Sequence, residues 1–277
     1  MRLKRKDKIF LIWLPLIVIN IFVLVPILWT VVTSLKAEGD ILKKPIRYIP
    51  DPVTFENYVR AWINCSFDQY FFNSMKVSLI AVTCIVIIAI MIGYALNRYR
   101  FKGKNLFMGL LLCIQFIPHA VLLIPLFNVF NKMGLIGSLT SVILVCITFQ
   151  FPFNSILMRG FISGIPYSLE EAAQIDGCSR LQAVIKIVIP MLVPGIVTTA
   201  AFAFIGVWNE FLFSMMFLND SANYTIPIGL KMMQGEYNIE YGALAAGAII
   251  AMAVPVALFA YLQKYLVTGL GAGAVKG

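Results

Sequence analysis

Three of the chain's thirteen carboxylates crowd into one stretch, SLEEAAQIDGCSRLQ at residues 168–182, where Glu170, Glu171 and Asp176 lie close to Arg180. Paired carboxylates can exchange protons with a substrate, but that chemistry needs a desolvated cleft with a nucleophile or metal beside it. The rest of the sequence does not supply one. There is a single histidine, His119, beside Pro118, and no Ser-His-Asp or Cys-His arrangement around it. The five cysteines, Cys65, Cys84, Cys113, Cys146 and Cys178, are dispersed without a CxxC pair, and no metal-ligand spacing is present. No GxxxxGK(S/T) phosphate loop occurs, so the chain is not expected to hydrolyse nucleotides, to act as an enzyme or to bind a cofactor. A further carboxylate, Glu210, follows Trp208 and Asn209 inside an apolar run, and Gln150 and Asn154 flank Pro152 inside another. Polar groups in such surroundings serve either a passing ligand or proton, or hydrogen bonding between helices.

The acidic stretch specifies a helical geometry. Pro166 ends the preceding structure, and Ser168 with Glu171 three residues on has the spacing of a capping box, so a short helix is predicted from Leu169. Gly177 supplies a left-handed stop about eight residues later. Ser179 with Gln182 forms a second capping box, and Pro190 limits the helix that follows. On this second helix Leu181, Val184, Ile185, Val188 and Ile189 make an i, i+3, i+4, i+7, i+8 stripe, predicted to pack on its own bundle. The first helix has only a narrow face of Leu169, Ala172 and Ala173, edged by Glu170, Glu171 and Gln174. Small residues there allow another backbone to approach, which suits a protein partner. A DNA-reading helix-turn-helix would need a basic recognition helix instead. A plain solvated loop would not need two caps around a glycine.

The elements around this stretch are dictated by composition. With 60% hydrophobic residues, mean hydropathy +0.88 and 13% charged residues, a water-soluble fold would expose far more apolar surface than one core can hide. An all-α membrane protein is predicted. Its six transmembrane helices are predicted at about 9–33, 77–96, 106–127, 135–157, 191–217 and 241–262 of a single transmembrane domain, 1–277. The first run is too long for the core of a signal peptide and no small-x-small site follows it, so it is expected to remain as an anchor.

The net charge of +9 then orients the chain rather than pointing to nucleic acid. With the N-terminus inside, fourteen Lys and Arg stand against four acids on the cytoplasmic side, while eight stand against eight outside. Both termini, the loop 163–190 and the tail 263–277 are therefore expected to be cytoplasmic, and the loop 34–76 extracellular. In that outer loop Thr54 can cap a helix on which Phe55, Tyr58, Val59, Trp62 and Ile63 share a face. Such a helix either lies on the membrane surface or folds back onto its own bundle.

The stretch EAAQIDGCSRLQAVIKIVIP, residues 171–190, resembles the EAA loop of membrane subunits of bacterial ABC importers, which carry EAA, three residues, Gly, nine residues and Ile-x-Leu-Pro. The matches are Glu171, Ala172, Ala173, Gly177, Ile187 and Pro190, with Ile189, Val184 and Cys178 standing where Leu, Phe and Ala are usual. Flanking stretches, among them IGYALNRYRFKGKN, RGFISGIPYSLEEAA, WNEFLFSMMFL and the tail QKYLVTGLGAGAVKG, are similar to the carbohydrate-importing branch. The similarity extends over nearly the whole chain and is greatest to the second permease subunit of maltose-type importers.

That resemblance implies a type I ABC importer permease fold with a cytoplasmic EAA coupling loop. It implies a heterodimer with a second permease subunit, two ATPase subunits that hold ATP and Mg, and an extracellular sugar-binding protein. It further implies that Glu170, Glu171, Ala172, Ala173, Asp176 and Gly177 form the ATPase-docking segment and that the tail from Gly269 to Gly277 reaches the ATPases. Gln150, Asn154, Trp208, Asn209 and Glu210 are the candidate sugar-pathway residues, with inter-helix hydrogen bonding as the alternative for them. The alternative function is a proton-coupled secondary sugar carrier using Glu210, although no internal repeat of the kind such carriers show is evident.

Overall fold

The computed structural model describes residues 9–235 and 239–274. The basic cluster from Arg2 to Lys8, Glu236 and Lys276 lie outside the described residues. Among the described residues the regular elements are all helical, and four helices are long and apolar enough to cross a membrane singly: Phe10–Ser34, Phe67–Arg98, Leu139–Ser163 and Tyr241–Lys264. Two bent pairs, Lys104–Gln115 with His119–Lys132 and Arg180–Met191 with Val193–Trp208, bring the number of spans to as many as six.

We label α1 Leu14–Ser34, preceded by a π turn at Ile9–Trp13, α2 Phe67–Arg98, α3 Lys104–Gln115, α4 His119–Lys132, α5 Leu139–Ser163 and α6 Ser168–Ile175. Then come α7 Arg180–Ala183, α8 Val193–Trp208, α9 Leu212–Phe217, α10 Ile226–Met232 and α11 Tyr241–Ala274. Two expected continuous spans are corrected. The stretch 106–127 is broken between α3 and α4, which meet at 99°, because Pro118 has no N–H to donate and keeps Ile117 out of the helical region. The stretch 191–217 is broken at Asn209–Phe211, between α8 and α9. The connection before the second span is shorter than expected, since α2 already begins at Phe67. The last helix continues to Ala274, so the expected tail is helical as far as it is described, and residues 275–277 lie outside the described residues.

The chain falls into two compact units, the first comprising the residues up to Asp68 with Gly229–Ala253, the second Gln69–Ile228 with the residues from Val254. In the first, α1 buries none of its apolar stretch, so lipid or another protein is its solvent. The segment after α1 is organised by Asn57, whose Nδ2 donates to the Ser34 and Lys36 carbonyls at 2.9 and 2.6 Å. Glu38 caps α11, its two oxygens accepting from the Tyr241 and Gly242 amides at 2.7 and 2.8 Å. Thr54 Oγ1 accepts from the Glu56 amide, and the amphipathic segment forms as Glu56–Val59 followed by a π turn at Arg60–Asn64. Ala61 packs against Ala243 and Ala246, whereas Phe55, Val59 and Ile63 point outward and are more than half exposed.

The second unit is built on α2, α5 and α8. Val77, Ala81 and Ile85 of α2, Val142 and Cys146 of α5 and Ala203 and Val207 of α8 form one buried cluster. A second, of Ala89, Met158, Ile162, Ile165, Val188 and Leu192, lies beneath the loop that carries α6. Close approach of α2 to α5 depends on Gly93, where a Cβ would stand 3.0 Å from the Arg159 amide nitrogen.

Candidate functional site

The helix α6, SLEEAAQI, spans eight residues as predicted, but its start differs. It begins at Ser168, after Tyr167 in helical conformation, and Ser168 makes no side-chain cap. The chain starts to wind at Pro166 and Tyr167, whose carbonyls accept from the Leu169, Glu170 and Glu171 amides. This places Ser168 inside the helix, where its hydroxyl cannot reach the orphan donors. Glu170 and Glu171 fall in the first turn, where carboxylates complement the helix dipole.

The other end forms as the glycine demands. Gly177 has φ +90°, its amide donates to Gln174 O at 3.1 Å, and the Cys178 amide donates to Ala173 O at 2.9 Å. This pair of bonds is the Schellman arrangement, and it stops α6 after Asp176. The second capping box is present in full, with the Ser179 amide donating to Gln182 Oε1 at 2.8 Å and the Gln182 amide to Ser179 Oγ at 3.3 Å.

The two faces of α6 separate differently from the expectation. Glu170 does not edge the exposed face; it is fully buried against its own chain. Arg98 Nε, at the end of α2, donates to Glu170 Oε1 at 2.6 Å, and Tyr94 Oη donates to Oε2 at 2.7 Å. The remaining guanidinium nitrogens donate to Ile165 O at 2.8 Å and Asn97 Oδ1 at 2.9 Å. A buried carboxylate requires this degree of partnering, because burial of an unpaired charge is costly. Ala173, one turn further on, is buried on the same side. The outward face therefore consists of Leu169, Glu171 and Ala172, and of Ile175, which is 86% exposed. Ile175 was missed in the sequence, although it follows Leu169 and Ala172 at steps of three. Asp176, the C-cap residue, is also exposed.

A ring of aromatic and cationic side chains surrounds the buried carboxylate. Arg98 lies 5.4 Å from the Tyr167 ring, Arg180 lies 4.6 Å from the Tyr99 ring, and the Tyr94 and Tyr99 rings meet edge to face. The helix after the glycine contributes Ala183, Val184 and Val188 to the core, but Leu181 and Ile185 are exposed. The predicted stripe is thus split, since Val184–Val188 winds as a π-helix and the 3.6-residue spacing does not carry across it.

The five candidate pathway residues do not converge on one cavity. Gln150 lies against Gly206, where a larger side chain would have to displace the Gln150 amide, and so serves the contact between α5 and α8. Asn154 is buried and its Nδ2 donates to Gln150 O at 2.7 Å, with Oδ1 left unbonded. Trp208 is buried in a stack with Phe204, 5.2 Å apart, and edge to face with Phe71. Asn209 is exposed and bonds back to Ile205 O at 2.9 Å. Glu210 Oε1 accepts from the Phe213 amide at 2.7 Å, which caps α9 after the break. His119 packs on Phe149 and Phe213, with ring centroids at 4.4 and 5.9 Å. Among the described residues no group of His, Cys, Asp and Glu could hold a metal ion, and all five cysteines are free thiols.

The sequence profile of one family, described as the binding-protein-dependent transport system inner membrane component, matches residues 85–271, from the second half of α2 into α11. The sulfoquinovosyl glycerol transport system permease protein of Agrobacterium fabrum is 34% identical over 255 residues, 92% of this chain and 89% of that protein. The trehalose transport system permease protein of Mycobacterium tuberculosis is 35% identical over 259 residues, 92% and 93% of the two chains. The diacetylchitobiose uptake system permease protein of Streptomyces coelicolor is 34% identical over 262 residues, 94% and 95%. Among solved structures, a chain of a bacterial ABC transporter involved in import of the acidic polysaccharide alginate superposes with a TM-score of 0.83 at 22% identity, over 96% of this chain and 99% of that one. At that identity the likeness establishes the fold.

Proposed function

The chain belongs to the family of binding-protein-dependent transport system inner membrane components, and from that membership we propose that it is one permease subunit of an ATP-driven sugar importer. As a member of a family of membrane transport components it is a permease subunit, not an enzyme. In this reading a second, related permease completes the pathway, two ATPase subunits holding ATP and Mg dock on the cytoplasmic side, and an extracellular binding protein delivers the sugar. The cargo class is supported by the relatives named for sulfoquinovosyl glycerol, trehalose and diacetylchitobiose transport. The observation that carries the docking role is the asymmetry of α6: one side is locked inward by Arg98 and Glu170, and the other presents Leu169, Glu171, Ala172 and Ile175 to a partner.

ATP-driven closure of the ATPase dimer draws α6 with it, and α6 in turn rocks the spans between inward- and outward-facing states. Glu171 supplies the polar anchor, Ala172 permits close approach, Gly177 sets the angle of the helix, and Asp176 lies at the rim of the contact. Glu170 and Ala173 act from behind by fixing the helix. The excess of basic residues on the α6 side supports cytoplasmic termini. In the rival proton-coupled reading Glu210 would carry the proton, but its carboxylate already has a use as the cap of α9. Co-expression with the ATPase subunits tests the proposal: sugar uptake should require ATP hydrolysis and persist when the proton gradient is collapsed, and loss of uptake on collapse alone would favour the rival.

A further inference from the structure

The helix α2 differs from the other long helices. Pro26, Pro125, Pro152 and Pro255 interrupt α1, α4, α5 and α11, whereas the 32 residues of α2 contain no proline. Prolines kink a helix by removing a hydrogen bond, so α2 is the uninterrupted rod of the second unit. It is held by side chains at both ends. At one end Tyr94 and Arg98 grip the Glu170 carboxylate of α6 and the Ile165 carbonyl. At the other, Gln69 Nε2 donates to Ala222 O at 3.0 Å, and Asn73 Nδ2 donates to Ala222 O and Tyr224 O, both at 2.9 Å. Ser74 Oγ accepts from the Ile226 amide at 2.8 Å. From Ser74 to Arg98 is about 36 Å at 1.5 Å per residue, slightly more than the hydrocarbon thickness of a bilayer.

The gripped segment, 222–226, follows α9 and the break beside Glu210. It is fastened to the start of α5 as well, since Asn223 Nδ2 donates to Gly137 O at 2.8 Å and the Gly137 amide to Phe217 O at 2.7 Å. A displacement of this segment is therefore passed to α2 through main-chain carbonyls, and from α2 to α6 through an ion pair with no water between its members.

We propose that α2 relays the signal of a sugar-loaded binding protein to the ATPases, with Gln69 and Asn73 as positioning residues at the receiving end and Arg98 and Tyr94 at the delivering end. This rests on the reading of α6 as the ATPase-docking helix. The test uses the complete importer in lipid vesicles and reads ATP hydrolysis with and without sugar-loaded binding protein. Gln69→Ala/Asn73→Ala removes three hydrogen bonds from an exposed and a half-exposed residue. The expected result is normal co-purification of the ATPases, wild-type basal hydrolysis, and stimulation reduced about tenfold, within the range of typical coupling between sites. A loss of stimulation, read per bound ATPase, is also expected for Arg98→Met/Glu170→Met, which removes both charges together so that neither is left buried alone. Wild-type stimulation in either variant overturns the relay. Failure of the Gln69→Ala/Asn73→Ala complex to assemble also overturns it, because those residues would then serve assembly. Absence of stimulation in the wild-type importer would instead count against the function on which the relay rests.

Discussion

Arg98 and Glu170, 72 residues apart in the chain, meet at 2.6 Å in a site where both side chains are almost wholly buried. The pair joins the end of the longest uninterrupted helix to an eight-residue helix that would be marginal in isolation. It explains how α6 keeps a defined orientation while most of its outer side is bare.

Breaking this pair from one side should be costly. Arg98→Met leaves an uncompensated buried carboxylate, a loss of about 3–5 kcal/mol. The midpoint of thermal unfolding in detergent should fall by on the order of 10 °C. Arg98→Met/Glu170→Met should recover most of that fall; a double variant as unstable as the single one would show that packing, not charge, governs the site.

The outer face of α6 should tolerate change without loss of stability. Glu171→Lys and Ile175→Glu alter exposed positions, where effects on stability are usually within about 0.5 kcal/mol. Both should insert and unfold as wild type yet co-purify with much less ATPase. Undiminished co-purification would remove these residues from the docking surface.

At Gly177 the constraint is conformational. No atom lies within 4 Å of the place a Cβ would occupy, but φ is +90°. Gly177→Ala should therefore cost about 1–2 kcal/mol through backbone strain alone. Gly177→Asn, which tolerates left-handed geometry better, should dock more ATPase than Gly177→Ala. Equal docking by both would show that the stop after Asp176 does not set the angle of α6.

Thiol labelling from the two sides of the membrane tests the topology. An impermeant maleimide added outside should reach Cys65 and not Cys178. Burial pushes the Cys65 thiol up from its ordinary range, nearby Glu240 adds to the shift, and Arg60 opposes it. Less thiolate is present near neutral pH as a result, so labelling of Cys65 should be slow there and accelerate as pH rises. Labelling of Cys178 from outside would invert the orientation.

Glu210→Gln separates the two modes of energy supply. The amide oxygen can still accept from the Phe213 amide, so ATP-driven uptake should persist, whereas Glu210→Leu should impair it by uncapping α9. Loss of uptake in the Gln variant would favour a protonatable role.

Much of this architecture was legible in the sequence because its signals are local. Gly177 marked the stop of α6, and Ser179 with Gln182 the start of the next helix. What escaped depends on distant partners or on a change of helical period. Glu170 and Glu171 are chemically identical neighbours, and only Arg98, far away in sequence, decides which is turned inward. The π turn at Val184–Val188 split a stripe that would have been continuous at 3.6 residues per turn. The break at Asn209–Phe211 lacks a proline to announce it, and Gln150 is explained only by its contact with Gly206.

Neighbouring residues of α6 offer the most direct test of the central claim. Ala172 is exposed and Ala173 is buried. In a background freed of native cysteines, Ala172→Cys should cross-link to the co-expressed ATPase subunit with a short bifunctional maleimide, and Ala173→Cys should not. No cross-link from position 172, or an equally strong one from position 173, would contradict a docking helix held and oriented as described.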